Sequence, residues 1–257
     1  MRGPGLTACL LATGLFAGCF QHTVRVAVHA DGSGSISVRQ VLSKETLAVL
    51  QQQAGKRPVF NEAQVREFAA QYGPNVHAIV VREINLPEGQ GYLAIYEFTD
   101  INQVRIPTGK EPYSFVYRKG NLTAKSPRPP STRQKAENPS RASTDGFAQL
   151  IKTLGAPYGF SGKELPEVVA RRVLSDLEIS IDLDLPEGTE TSHAKHVEPQ
   201  NKSRVRLLQV DGHVMSSKPA AIQTLLQADG QAPIEVLLSG LPGVKIEPKA
   251  ELKFKLP

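Results

Sequence analysis

The sequence predicts an α+β protein: a mainly antiparallel sheet with helices packed on one side, interrupted by a disordered, proline-rich basic insertion. Three observations predict it. Several segments carry apolar residues at every second position and are joined by tight turns. Helical stripes fall between them without the regular strand–helix–strand order of a parallel sheet. One stretch, 124–143, holds prolines and basic residues with no apolar period at all.

Taken in order, Gln21 to Leu42 reads as a hairpin. Val24, Val26 and Val28 alternate with mostly polar residues, as do Ile36 and Val38, and Asp31-Gly32-Ser33-Gly34 supplies the turn. The same turn lacks the later acidic ligands of a calcium loop. Ser43 is placed to cap a helix through about Gln53. Asn61 with Gln64 three residues on resembles a capping box, and Val65, Phe68, Ala69 and Tyr72 form the stripe of the helix it opens, ended by Gly73. Two strands follow: Val76 to Leu86, then Tyr92 to Phe98 with Tyr92, Ala94, Tyr96 and Phe98 on one face. Tyr113 to Thr123 makes a hairpin around Lys119-Gly120-Asn121.

After the insertion, Asp145 caps a helix to Leu154, and Pro166 starts another that runs to Leu174. Leu177 to Leu185 is the cleanest alternating run. Its aliphatic residues fall on one face, with Glu178, Ser180, Asp182 and Asp184 on the other, as expected for a strand with one wet side. Arg204 to Val210 is a strand turning at Asp211-Gly212, Ala220 to Gln227 a helix, and Ile234 to Leu238 a strand. Val244 to Leu256 closes the chain with Ile246, Leu252, Phe254 and Leu256 as its apolar set. The expected organisation is therefore a leader over 1–18, a first part of the α+β domain over 19–123, the insertion over 124–143, and a second part, or separate subdomain, over 144–257.

Composition sets the class. Of 257 residues, 40% are hydrophobic and 21% charged, as in a globular protein and unlike a disordered or fibrous chain. Trp is absent and aromatics are 6%, which argues against stacking surfaces for carbohydrate or single-stranded nucleic acid. The 30 basic residues exceed the 25 acidic ones by five, and much of the excess sits in the insertion.

The first residues carry the strongest pattern. A cationic Met1-Arg2 start leads into an apolar stretch from Leu6 to Ala17, too short to span a bilayer and right for the core of an export signal. It ends in Leu15-Phe16-Ala17-Gly18-Cys19, which resembles the lipobox of bacterial lipoproteins, with Phe16 where Leu is more usual. The resemblance implies a diacylglycerol thioether on Cys19 and cleavage after Gly18, the small residues at 17 and 18 admitting the peptidase. Each buried methylene of such acyl chains contributes about 0.8 kcal/mol, so two or three chains hold a protein on a membrane essentially permanently. With Cys9 removed and Cys19 acylated, no cysteine is left for a disulfide or a metal. Phe20 stands where an Asp would signal retention in an inner membrane. In a source with two membranes, the resemblance implies an outer-membrane address facing the periplasm.

Catalytic and cofactor patterns fail in turn. Gly159-Phe160-Ser161-Gly162 lacks the spacing of a nucleophile elbow, and no Gly-rich loop has phosphate-binding form. His193 and His196 would share a face only on a helix, and they follow a strand. Asp182 and Asp184 imitate a carboxylate pair, but same-face acids on an exposed strand are expected to be solvated. No catalytic residue, metal or cofactor is expected. Lys125, Arg128, Arg133, Lys135 and Arg141 of the insertion form a candidate contact for an anionic surface, either lipid headgroups or cell-wall polymer; the alternative is a solvated loop. Export makes nucleic acid an unsuitable partner, and the sequence does not name a protein partner.

Three stretches, together with the lipobox, resemble a family of uncharacterised bacterial envelope lipoproteins. They are Gly91-Tyr92-Leu93-Ala94-Ile95-Tyr96-Glu97-Phe98-Thr99-Asp100-Ile101-Asn102, Arg204 to Asp211, and Leu241-Pro242-Gly243-Val244-Lys245-Ile246-Glu247. The resemblance implies a lipoprotein fold and no catalytic residues; the basic insertion departs from the family pattern. The expected function is a non-enzymatic, membrane-anchored envelope module that binds or organises an envelope component. The alternative is a carrier of lipid or another hydrophobic ligand, with an apolar cavity between sheet and helices.

Overall fold

A computed structural model describes residues 20–44, 47, 60–108, 112–127, 171, 174–227 and 240–257. The helices expected over 43–53, 145–154 and 166–174, and the strand expected over 234–238, lie wholly or mostly outside these residues. The described chain is sheet-rich and largely antiparallel, with few helices.

β1 (Phe20–Val28) and β2 (Gly34–Ser43) form the expected hairpin, with Val24 opposite Val38 and Val26 opposite Ile36. Gly32 takes φ +85 at the turn, and the Tyr117 ring packs so close that a Cβ there would lie 2.6 Å from it. β3 (Val76–Leu86) and β4 (Gly89–Phe98) extend the sheet beyond β2. Gly91 allows β4 to close on β2, since a Cβ there would lie 1.8 Å from the Gln40 carbonyl oxygen. Asn61 caps α1 (Glu62–Glu67) by accepting the Gln64 N–H at 3.2 Å. With α2 (Ala69–Tyr72), α1 buries Val65, Ala69 and Tyr72 in the core, where Tyr96 donates its hydroxyl to the Val65 carbonyl at 2.8 Å.

A 3-10 turn at Ile101–Gln103 leads through β5 (Arg105–Ile106) to the hairpin of β6 (Tyr113–Arg118) and β7 (Asn121–Lys125). Asp100 caps the 3-10 turn by accepting the Asn102 N–H at 2.9 Å, and Asn102 in turn accepts the Tyr117 N–H at 2.7 Å. The later chain completes both sheets. β8 (Glu178–Asp184) lies parallel to β1, and β10 (Asn201–Asp211) pairs antiparallel with β8. β9 (Val197–Glu198) joins β10; α3 (Gly212–Ser216) and α4 (Pro219–Gln227) follow.

Val244 to Leu256 is not one strand. β11 (Val244–Ile246) ends the eight-stranded sheet on β10, whereas β12 (Glu251–Lys255) joins β7 in a second sheet ordered β12-β7-β6-β5. Pro248 lies in the crossing segment between the two sheets. The expectation of a single sheet is thereby corrected: a second, four-stranded sheet shares its core. Tyr113, Phe115, Leu122 and Phe254 of the second sheet and Val26, Ile36, Tyr96 and Leu183 of the first belong to one contiguous buried cluster.

The insertion boundary also moves. Ala124 and Lys125, assigned from sequence to the insertion, are the last two residues of β7, with Ala124 buried opposite Leu252 and Lys125 opposite Glu251. A small residue and a lysine continue the alternation of Leu122 without looking apolar enough to announce it. The remainder of the insertion from residue 128 lies outside the described residues.

Candidate functional site

The strand registers lay out the outer face of the eight-stranded sheet as rows that cross six strands. One row runs Arg206, Asp182, Arg25, Ser37, Ile95, Val80, and the next runs Gln209, Ser180, Thr23, Arg39, Leu93, Arg82. Alternation along each strand puts these side chains opposite the valines and isoleucines of the core.

The β8–β10 half of this face is locked by charge. Arg206 holds Asp182 through Nε and Nη2 at 2.8 and 3.4 Å and gives Nη1 to Gln209. Arg204 holds Asp184 through Nε and Nη2 at 2.6 and 3.2 Å and donates Nη1 to Glu198 at 2.9 Å. Hydrogen bonds donated to these carboxylates raise both guanidinium pKa values above the ordinary arginine range, Asp184 being the main cause for Arg204 and Asp182 for Arg206. Arg25 reaches Asp184 at 3.6 Å from the neighbouring strand.

The expectation that Asp182 and Asp184 are solvated is therefore wrong. Asp182 is only 2% exposed, and Ser180 beside it is buried as well. Sequence held one signal of this: acids at 182 and 184 and arginines at 204 and 206 alternate with the same period, so two complementary stripes meet if the strands pair.

At the end of the same face where β1 begins, the sheet opens into a cleft of about 690 Å³. Gln21, Val41, Glu178 and Gln209 form its floor, while Lys44 and Glu88 stand on one side and Asp176 and His213 on the other. Asp211, also at this cleft, uses its carboxylate to cap α3 by accepting the Val214 N–H at 3.0 Å. The cleft is polar. Between the sheets, by contrast, Tyr96, Tyr113, Phe115 and Phe254 are fully buried and fill the space.

On the inner side of β1, burial pushes the His22 imidazole down to about 4. Asp31 in the β1–β2 turn accepts from the Ser33 hydroxyl and N–H, which holds its carboxyl below the ordinary range.

Of the residues singled out from sequence, Cys19 lies outside the described residues, one position before β1. Lys125 is paired with Glu251 at 3.5 Å across the β7–β12 ladder. Arg128, Arg133, Lys135 and Arg141 lie outside the described residues, as does the 159–162 segment. His193 is exposed in a loop, its carbonyl accepting from Lys249. Among the described residues no group of three or more His, Cys, Asp or Glu side chains is placed to hold a metal ion, and no helix is long and apolar enough to cross a membrane. The rows of the outer face and the cleft were not visible in sequence, because they depend on which strands become neighbours.

No family model matches this chain, and no curated protein or solved structure matches it.

Proposed function

We propose that the protein is a non-enzymatic module of the bacterial cell envelope, held on a membrane through acyl chains on Cys19, that binds or organises an envelope component. The observation that carries this reading is the lipobox-like Leu15-Phe16-Ala17-Gly18-Cys19 set directly against a strand that starts at Phe20. An anchor at residue 19 leaves no tether, so the β1 end of the sheet and its cleft stand at the bilayer. The polar side chains that most resemble catalytic carboxylates support the same reading, because Asp182 and Asp184 are bound into ion pairs that join β8 to β10. Phe20 after the cysteine favours the outer membrane, facing the periplasm, where two membranes exist. The cations at 128, 133, 135 and 141 remain part of the proposal as a contact for anionic lipid or cell-wall polymer. Lys125 serves it less well, since Glu251 already holds it.

Metabolic labelling with radioactive palmitate in a bacterial host tests the anchor. The expected result is a labelled mature chain beginning at residue 19, and no label on Cys19→Ser. Unlabelled wild-type chain, or an intact mass showing processing elsewhere, removes the proposal.

A further inference from the structure

We propose that the β1–β2–β4–β3 half of the outer sheet face is a docking surface for an anionic lipid bilayer, with Arg25, Arg39 and Arg82 contacting headgroup phosphates and the aliphatic residues of β3 and β4 lying at the interface. The orientation rests on the reading of Cys19 as the anchor.

Charge divides this face along β1. Arg39 and Arg82 share one cross-strand row with Leu93 between them, so their Cα atoms are roughly 10 Å apart. Arg39 gives one donor to the Gln21 side chain at 2.8 Å, Arg82 is exposed, and neither has an ion pair among the described residues. Arg25 stands in the adjacent row with its side chain 42% exposed; its Nε lies 3.6 Å from Asp184, a looser pairing than those of Arg204 and Arg206. Against these three, the rows of β2, β4 and β3 present one carboxylate, Glu97, at the far end beside His77. The β8–β10 half carries Glu178, Asp182, Asp184 and Asp211 against Arg204 and Arg206, which are held by Asp184 and Asp182. An anionic surface is attracted by the first half and gains nothing from the second, where acids outnumber arginines.

The aliphatic content falls on the same side. Ile79 and Val80 are adjacent at the bulge of β3, 43% and 36% exposed, and Val214 is the other large exposed hydrophobic side chain among the described residues. Leu93, Ile95 and Ile84 continue the apolar area inward from them, half-buried. Aliphatic side chains flanked by guanidinium groups suit a membrane interface: the fork of donors takes phosphate oxygens in pairs, and the apolar surface enters the headgroup boundary. Reach is sufficient, because Arg25 is six residues from Cys19, within about 20 Å along an extended strand.

The test uses the full chain carrying Cys19→Ser, so that no acyl chain can form, with sedimentation on vesicles of equal parts phosphatidylglycerol and phosphatidylcholine against phosphatidylcholine alone. The neutral vesicles subtract any contribution of the apolar leader, which all variants keep. Binding to the anionic vesicles is expected to fall about fivefold for each of Arg25→Gln, Arg39→Gln and Arg82→Gln, and about a hundredfold for the three together. Neutralising Arg128, Arg133, Lys135 and Arg141 is expected to leave most of the binding in place. In the unsubstituted Cys19→Ser chain, hydrogen exchange at the β3 amides is expected to slow on anionic vesicles, a readout that needs no folding of the triple variant. Failure of the parent to bind anionic vesicles, full binding by a folded triple variant, or unchanged β3 exchange each overturns the docking surface. Loss of palmitate labelling would overturn the anchor and leave these measurements standing.

Discussion

Across one face of one sheet, arginine is used in two ways. On β10, Arg204 and Arg206 each close on a carboxylate of β8, at the cost of taking Asp182 almost completely out of water. On β2 and β3, Arg39 and Arg82 occupy equivalent outward positions beside leucine and isoleucine and meet no acid among the described residues. The residue types and strand geometry are the same; what differs is the neighbour each register supplies. Where a carboxylate lies opposite, the guanidinium becomes part of the fold. Where an aliphatic lies opposite, the guanidinium meets no carboxylate among the described residues, and Arg39 gives only one donor, to the Gln21 side chain. Burial follows the same division, because an ion pair must satisfy its remaining hydrogen bonds before it can leave water.

The largest effect is expected from opening the locked half. Asp182→Ala removes the acceptor of Arg206 and leaves a partly buried cation uncompensated, which should cost about 3 kcal/mol of stability in urea denaturation. Asp182→Leu combined with Arg206→Met should recover most of that loss, since a packed apolar pair replaces the charges without stranding either. If Asp182→Ala costs less than about 1 kcal/mol, the pair is ornamental and the two halves of the face differ only in appearance.

How much of this was readable beforehand depends on the range of the contact. The hairpin at Asp31-Gly32, the Asn61 cap, the alternation of Tyr92 to Phe98 and the Lys119-Gly120 turn, with φ of 48 and 76, are all set by neighbours in sequence, and each stands where local chemistry put it. The parallel pairing of β1 with β8 joins residues far apart in the chain, and period-two alternation is blind to it. So is the bulge in β10, where an extra residue lets both Leu207 and Leu208 point inward and frees the Leu207 carbonyl for Tyr113 and Glu247. The candidate site divides likewise. The nearness of Cys19 to the first strand is a local fact, visible in sequence. The fate of Asp182 required knowing that Arg206 lies across from it.

β1 is the seam between the two halves, and acid should loosen it. His22 lies on its inner side with its imidazole pushed down to about 4, below the ordinary value of 6.5. In this range the unfolded chain binds the proton more readily than the folded one, so stability is complete above pH 6.5 and falls as the pH drops toward 4. Each tenfold difference in proton affinity between the two states corresponds to about 1.4 kcal/mol, and with the ring only partly enclosed the loss over that window should be about 2 kcal/mol. His22→Gln should flatten the stability profile between those pH values. Equal acid sensitivity of wild type and His22→Gln would assign the loss to carboxylates elsewhere.

The smallest effect is the one that separates the halves most directly. Arg82→Gln should change the stability measured in urea by less than about 0.5 kcal/mol, because the side chain is exposed and holds no ion pair among the described residues. Arg206→Gln, in the next row on the other side of β1, should cost several times more by stranding Asp182. Substitution to Gln keeps length and a polar tip in both cases, so the comparison isolates the charge and its partner. Should Arg82→Gln prove as damaging as Arg206→Gln, Arg82 is bonded into the fold. The open half would then lose Arg82 as a contact for an external phosphate. A neutral result leaves Arg82 as a residue the fold does not need, which is the condition a docking residue has to meet.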